Sequence, residues 1–209
     1  MPRPKWLNVP KRSVKAVKGK AVMKLPELIN CINKNQVHYK NETLNVRDKA
    51  IVSLLMLSGL RVSELLKLKL SQFNLEGKDF IIIKDVETLK RGNQRDEIPL
   101  PKRGQLQVFT NHVEDWLIHI PTKDSFVIPT ASGLGIHFHK PLSRQRTHVI
   151  VKAITGQFPH YLRMLTESYY GRIFKTNWAL KDFMGLTDLR STEPYVKTDW
   201  HDYAEKMLE

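Results

Sequence analysis

The chain has 209 residues, with 34 lysines and arginines against 21 acidic residues, a formal charge of +13. This length makes one domain, or one with a small appendage, and is enough to bury a core without disulfide or metal staples. Hydrophobic residues at 41% and charged residues at 26% exclude wholesale disorder, and the excess charge points to a polyanion, usually nucleic acid.

Cys31 is the single cysteine, so an internal disulfide and a cysteine-based zinc cluster are both excluded. A reducing, cytoplasmic setting is expected. The longest apolar stretch, Ile51 to Leu60, is far too short to span a membrane. The first twelve residues, MPRPKWLNVPKR, lack the apolar centre of a secretory signal. No membrane contact, metal or cofactor is expected.

Residues 1–22 read as a basic arm. Arg3, Lys5, Lys11, Arg12, Lys15, Lys18 and Lys20 lie within the first twenty residues, with no acid and three prolines. It is a phosphate-contacting arm, a solubilising tail or an interdomain linker. From Leu25 the spacing of Leu25, Leu28, Ile29 and Ile32 predicts an amphipathic helix. A polar loop is expected through Asn45. RDKAIVSLLMLSGL then predicts a buried helix closed by Gly59, and Ser63 is placed to cap a short helix, SELLKLKL.

DFIII, residues 79–83, is the strongest strand signal. A polar, turn-rich segment over 85–96 leads to a second strand, EIPLP, with Gly92-Asn93 near the hairpin tip. Residues 104–120 have helical spacing, and FVIPT is short and extended. Ser143 opens a helix, SRQRTHVIVKAIT, and Pro159 stands at the first helical position of HYLRMLTESYYGRIF. NWALKDFMG is one more helix, ending at Gly185, and DWHDYAEKML predicts a short amphipathic helix in a tail over 199–209. The expected fold class is α+β, mostly helical with one small antiparallel sheet.

Three segments hold residue types suited to phosphate chemistry. His160 and Arg163 are three apart, so they share a helix face near a helix start, where amides and the dipole favour anions. Arg61 follows a glycine turn, with Glu64 one turn on to orient it. Gly185 is followed ten residues later by Tyr195. Each alone reads better as an ordinary surface pair or a half-buried tyrosine. Their order and spacing together are far more specific.

Gly59-Leu60-Arg61-Val62-Ser63-Glu64-Leu65, then His160-Tyr161-Leu162-Arg163, then Met184-Gly185-Leu186 with Thr192-Glu193-Pro194-Tyr195 resemble the three boxes of the tyrosine recombinase (phage integrase) family. PLSRQ before the second box and EIPLP closing the hairpin are similar to that family too. The resemblance implies a catalytic domain over residues 23–198, acting on double-stranded DNA as a homodimer or homotetramer, without metal or ATP. In it Arg61 and Arg163 stabilise charge on a scissile phosphate, His160 adds a hydrogen bond or moves a proton, and Tyr195 is the nucleophile that forms a 3′-phosphotyrosine. The chemistry suits the residue types: guanidiniums are planar and permanently charged, and a phenol with pKa near ~10 needs a positive field or a base.

The family's general acid is a hairpin lysine. Lys90 is the first choice; counting back from EIPL without a gap gives Arg91, and Lys84 is a third candidate. DNA contacts are expected from Lys5, Lys11, Arg12, Lys15, Lys18, Lys20, Arg91 and Arg144. The sequence departs from the family where Leu186 takes the place of a His or Trp donor and Met164 follows the second-box arginine. The family's helical core-binding domain of ~100 residues also has no counterpart in the 22 residues before the fold. Fimbrial phase-variation invertases are similar in this respect. The resemblance leaves two functions open: a site-specific recombinase or integrase, as in mobile elements, or a catalytically weakened DNA-binding or regulatory relative. Similarly, the tail docks either on a neighbouring protomer or on its own core.

Overall fold

The computed structural model describes residues 23–34, 41–87, 94–133, 135–174, 177–185 and 207–208. Its helices are α1 (Leu25–Lys34), α2 (Glu42–Ser58), α3 (Val62–Leu65), α4 (Gln107–Leu117), α5 (Arg144–Thr155), α6 (Pro159–Ile173) and α7 (Asn177–Met184). Its strands are β1 (Phe73–Asn74), β2 (Phe80–Glu87), β3 (Gln94–Pro101), β4 (Pro129–Ser132) and β5 (Gly135–Pro141). The fold is α+β and mostly helical, as expected.

α2 is the centre. Every residue from Ala50 to Leu60 is buried, so this helix is apolar all round, the pattern of a helix enclosed by neighbours rather than laid on a surface. It packs against α4, α5, α6 and β3. Asn41 starts it by accepting a hydrogen bond from the Thr43 amide at 3.0 Å. The helix therefore begins at Glu42, inside the stretch expected to be loop. Arg47, 2% exposed, forks onto Asp48 at 2.7 and 2.9 Å and donates to the Pro129 carbonyl at 3.0 Å. That contact ties α2 to β4.

The β2–β3 hairpin is longer than the sequence suggested. Pairs such as Ile81↔Leu100 and Ile83↔Ile98 are buried, and the ladder continues through Lys84↔Glu97 and Val86↔Arg95 into the polar segment. β1 pairs antiparallel with β2, completing a three-stranded sheet. The expected single sheet is corrected by a second antiparallel pair, β4–β5. Its β5 strand, GIHFHKP, alternates exposed residues with half-buried Ile136 and Phe138, which is strand patterning masked by glycine, histidine and lysine. Trp116 of α4 stacks on Phe138 and donates its indole N–H to the Val127 carbonyl at 2.6 Å.

Ser63 is not the cap it was expected to be. α3 is a single turn that starts after Arg61, because Glu64 reaches back to the Arg61 amide at 2.7 Å. The chain then leaves the helix: the Val127 amide bonds the Leu68 carbonyl at 2.8 Å, and Lys69 bridges Phe126. Met207 is 1% exposed in this chain's own core, with the Leu208 backbone against Gly104. The rest of the expected tail helix lies outside the described residues.

Candidate active site

The last turn of α2 shows how the site is assembled. A helix leaves its final carbonyls without intrahelical partners. Here each finds one. The Leu55 carbonyl accepts the Gly59 amide at 3.1 Å, and the Met56 carbonyl lies 2.9 Å from the Thr166 hydroxyl. The Leu57 carbonyl accepts the Tyr170 hydroxyl at 3.2 Å, and the Ser58 carbonyl accepts Nη2 of Arg95 at 3.1 Å. The Gly59 carbonyl accepts Nη1 of Arg163. Four side chains, three of them from α6, therefore fix the loop that presents Arg61.

Position 59 suits glycine best. Its φ is +59°, and a Cβ there would meet Met184 Sδ at 2.7 Å and Thr166 Cγ2 at 3.3 Å. Two residues on, Arg61 is held by one carboxylate at both ends. Its amide donates to Glu64 Oε2 and its Nη1 donates to Glu64 Oε1, each at 2.7 Å. Glu64 is 1% exposed, whereas Arg61 is 30% exposed. The anchor is buried and the guanidinium reaches solvent.

Arg163 lies one turn into α6, 6% exposed. Besides Gly59 it donates Nη2 to the Met184 carbonyl at 2.5 Å, so it joins the end of α2 to the end of α7. Burial, together with the nearby positive charge of Arg61, pulls its pKa below the usual arginine value, while Glu64 and Glu167 oppose the shift. The two box arginines, distant in sequence, are thus electrostatic neighbours. His160 is exposed in the first turn of α6, after Pro159 at its start. Beside it, the Tyr161 hydroxyl accepts the Met23 amide at 2.8 Å, which brings the chain from the basic arm in at the His160 turn.

Arg144 is exposed at the first turn of α5, which Ser143 caps by accepting the Arg146 amide at 3.1 Å. Lys84 sits on the exposed side of the hairpin, 3.7 Å from Glu97. Met164 is half-buried. Lys90, Arg91, Leu186, Tyr195 and the arm residues Lys5, Lys11, Arg12, Lys15, Lys18 and Lys20 lie outside the described residues. Among the described residues, no cluster of three or more His, Cys, Asp or Glu is arranged to hold a metal ion, and no helix is long and apolar enough to cross a membrane.

Arg95 was missed by the sequence reading. It stands among Gln94, Asp96 and Glu97, where it reads as part of a solvated strand face. It is instead 6% exposed and lies over the Phe183 ring at 5.4 Å. Only the pairing with buried Val86 marks it as inward-facing.

The family model described as the phage integrase family matches residues 24–200. The chain belongs to the phage integrase family. Among curated phage integrase relatives, a tyrosine recombinase XerC of Shewanella sp. (strain W3-18-1) is 25% identical over 205 residues, covering 96% of this chain and 62% of that protein. A XerC of Histophilus somni (strain 2336) is 24% identical over 168 residues, covering 78% and 53%. The chain thus spans between half and two thirds of the length of these relatives. Among solved structures, the XerH site-specific recombinase in a post-cleavage complex with a palindromic difH substrate superposes with a TM-score of 0.63 at 17% identity, over 79% of this chain and 45% of that one. The XerA recombinase superposes at 0.54 with 18% identity, over 100% and 65%. These superpositions carry the fold of an integrase-family catalytic domain.

Proposed function

We propose that this chain is a site-specific DNA recombinase that cleaves and rejoins double-stranded DNA through Tyr195. The observation that carries the reading is the convergence of Arg61 and Arg163 at the end of α2, with His160 exposed on the same turn of α6 as Arg163. Two guanidiniums beside one site suit the charge that grows on the nonbridging oxygens as phosphorus is attacked. The Tyr195 oxygen bonds to phosphorus as the bond to the 5′ oxygen breaks. The phenolic proton passes from Tyr195 to His160 or to water, His160 in the second case giving only a hydrogen bond. Lys90 delivers a proton to the departing 5′ oxygen. The phosphodiester energy is kept in the tyrosyl link, so rejoining by the reverse steps needs no ATP.

Double-stranded DNA is the proposed partner, held by the arm and by Arg144. The XerH structure contains a difH substrate, and a lambda integrase dimer bound to a COC′ core site superposes at a TM-score of 0.54 with 14% identity. Both relatives support DNA as the partner, and the lambda integrase dimer supports assembly of this chain as an oligomer on it. The proposed divisions are an arm over 1–22, the catalytic domain over 23–198 and a tail over 199–209.

The test uses a library of duplexes with a randomised core and a nick that lets the cleaved end diffuse away. Wild-type protein is expected to capture a subset as a denaturation-resistant protein–DNA band, and Tyr195→Phe to remove it. Sequence-selective binding without any band from wild type would instead make the chain a noncatalytic DNA-binding relative.

A further inference from the structure

Arg95 and Arg163 bracket the same two segments. Arg163 binds the carbonyls of Gly59 and Met184. Arg95 binds the Ser58 carbonyl, one peptide away, and lies over Phe183. It also fills the space beside Gly185: a Cβ on that glycine, whose φ is +58°, would meet Arg95 Cδ at 2.8 Å. Thus two buried guanidiniums, from a helix and from a strand with no sequence relation, both span from the end of α2 to the end of α7. Arg61 stands three residues beyond Ser58, its exposed end toward solvent. The negative end of the α2 dipole and its carbonyls make it possible to gather these cations. The carbonyls offset part of that charge, and the excess left beside the exposed Arg61 is of the sign that attracts an anion. Gly185 immediately precedes Leu186, an aliphatic residue with no donor to offer a phosphate.

We propose that Arg95 is the third guanidinium of the phosphate site, adding its charge to the field of Arg61 and Arg163 while it holds the end of α2 against the end of α7. This rests on the recombinase reading. It assigns to a hairpin strand a share of the electrostatic task that Leu186 cannot perform. A purely structural Arg95 would stabilise the fold without responding to the charge of the phosphate, and that difference is measurable.

The experiment compares covalent attachment to a captured nicked duplex carrying either the ordinary phosphodiester or a methylphosphonate at the scissile position. The methylphosphonate lacks the negative nonbridging oxygen, so a cation acting on that charge loses its value. Arg95→Gln keeps an amide donor for Ser58 and removes the charge. It is expected to slow attachment about 10²-fold on the phosphodiester, and by less than about tenfold on the methylphosphonate. Arg95→Lys keeps the charge and is expected to hold the ratio of the two rates near the wild-type value. The ratio is taken within one preparation, so a partly misfolded variant lowers both rates equally and leaves it unchanged. Equal slowing on both substrates by Arg95→Gln, or no slowing, overturns the proposal while the recombinase reading stands. A wild-type protein that attaches to neither substrate overturns both.

Discussion

Glu64 shows how one buried residue governs an exposed one. Its carboxylate holds both the amide and the guanidinium of Arg61 at 2.7 Å. Glu64→Gln keeps the shape and one acceptor but removes the charge that orients the guanidinium. Misplacing a catalytic group by about 1 Å costs on the order of 10²-fold. The variant is therefore expected to slow covalent DNA attachment by ten- to a hundredfold, while filter binding of the same duplex changes little. His112 offers a separate test by pH. Its Nδ1 lies 3.1 Å from Ser53 Oγ, and burial, with Lys49 adding to it and Asp115 opposing, holds its pKa below the ordinary 6.5. Above about pH 7.5 the ring is neutral in both folded and unfolded chains and contributes no pH dependence. As pH falls below that value the unfolded chain takes up the proton first, so stability drops until the folded-state pKa is reached. Urea midpoints should fall more steeply from about pH 7.5 to about pH 5.5 in wild type than in His112→Asn. Parallel profiles would remove His112 from the account.

At the level of elements, the carboxyl end of α2 is a junction rather than a terminus. Its carbonyls accept from α6 and β3, and Gly59 lets Met184 of α7 close over the turn. Gly59→Ala combines a left-handed backbone with a contact of 2.7 Å to Met184 Sδ. A loss of more than ~1 kcal/mol is expected in chemical denaturation, with a larger proportional loss of DNA attachment because the turn carries Arg61. Tyr170→Phe removes the hydroxyl that donates to Leu57 and should cost about 1–3 kcal/mol. Its ring remains in the cluster with Phe174 and Phe183, at centroid distances of 5.2 and 4.4 Å. Arg61 and Arg163, which meet at this junction, stood out in the sequence because they sit in motifs whose order is itself information. α2 was legible from its apolar run. Arg95 was not, because a cation between an amide and two acids looks solvated until the register pairs it with Val86. The β4–β5 pair was hidden for a related reason: only two of the seven β5 residues are half-buried and none is buried. The start of α3 was misread because the group that caps it, Glu64, lies inside the helix and acts backwards on Arg61.

For the whole molecule, the proposed function divides the charge of +13 between two tasks. Seven lysines and arginines fall in the first twenty residues, and the described chain begins at Met23 against Tyr161, beside the His160 turn. The first described residue therefore lies beside the turn that carries His160. Each phosphate the arm neutralises adds about 0.9 to the slope of log affinity against log salt. Deleting residues 1–20 should flatten that slope by as much as ~6 while leaving Arg61, His160 and Arg163 in place. An unchanged slope would make the arm a solubilising tail. The proposed reaction joins Tyr195 to the 3′ phosphate of DNA while Arg61 and Arg163 bear the charge. Peptide mapping of the captured adduct tests it most directly. After nuclease and protease digestion, mass spectrometry is expected to find a nucleotide linked through its 3′ phosphate to the peptide containing Tyr195. A link at another residue, a link through a 5′ phosphate, or no linked peptide from wild-type protein would contradict the account.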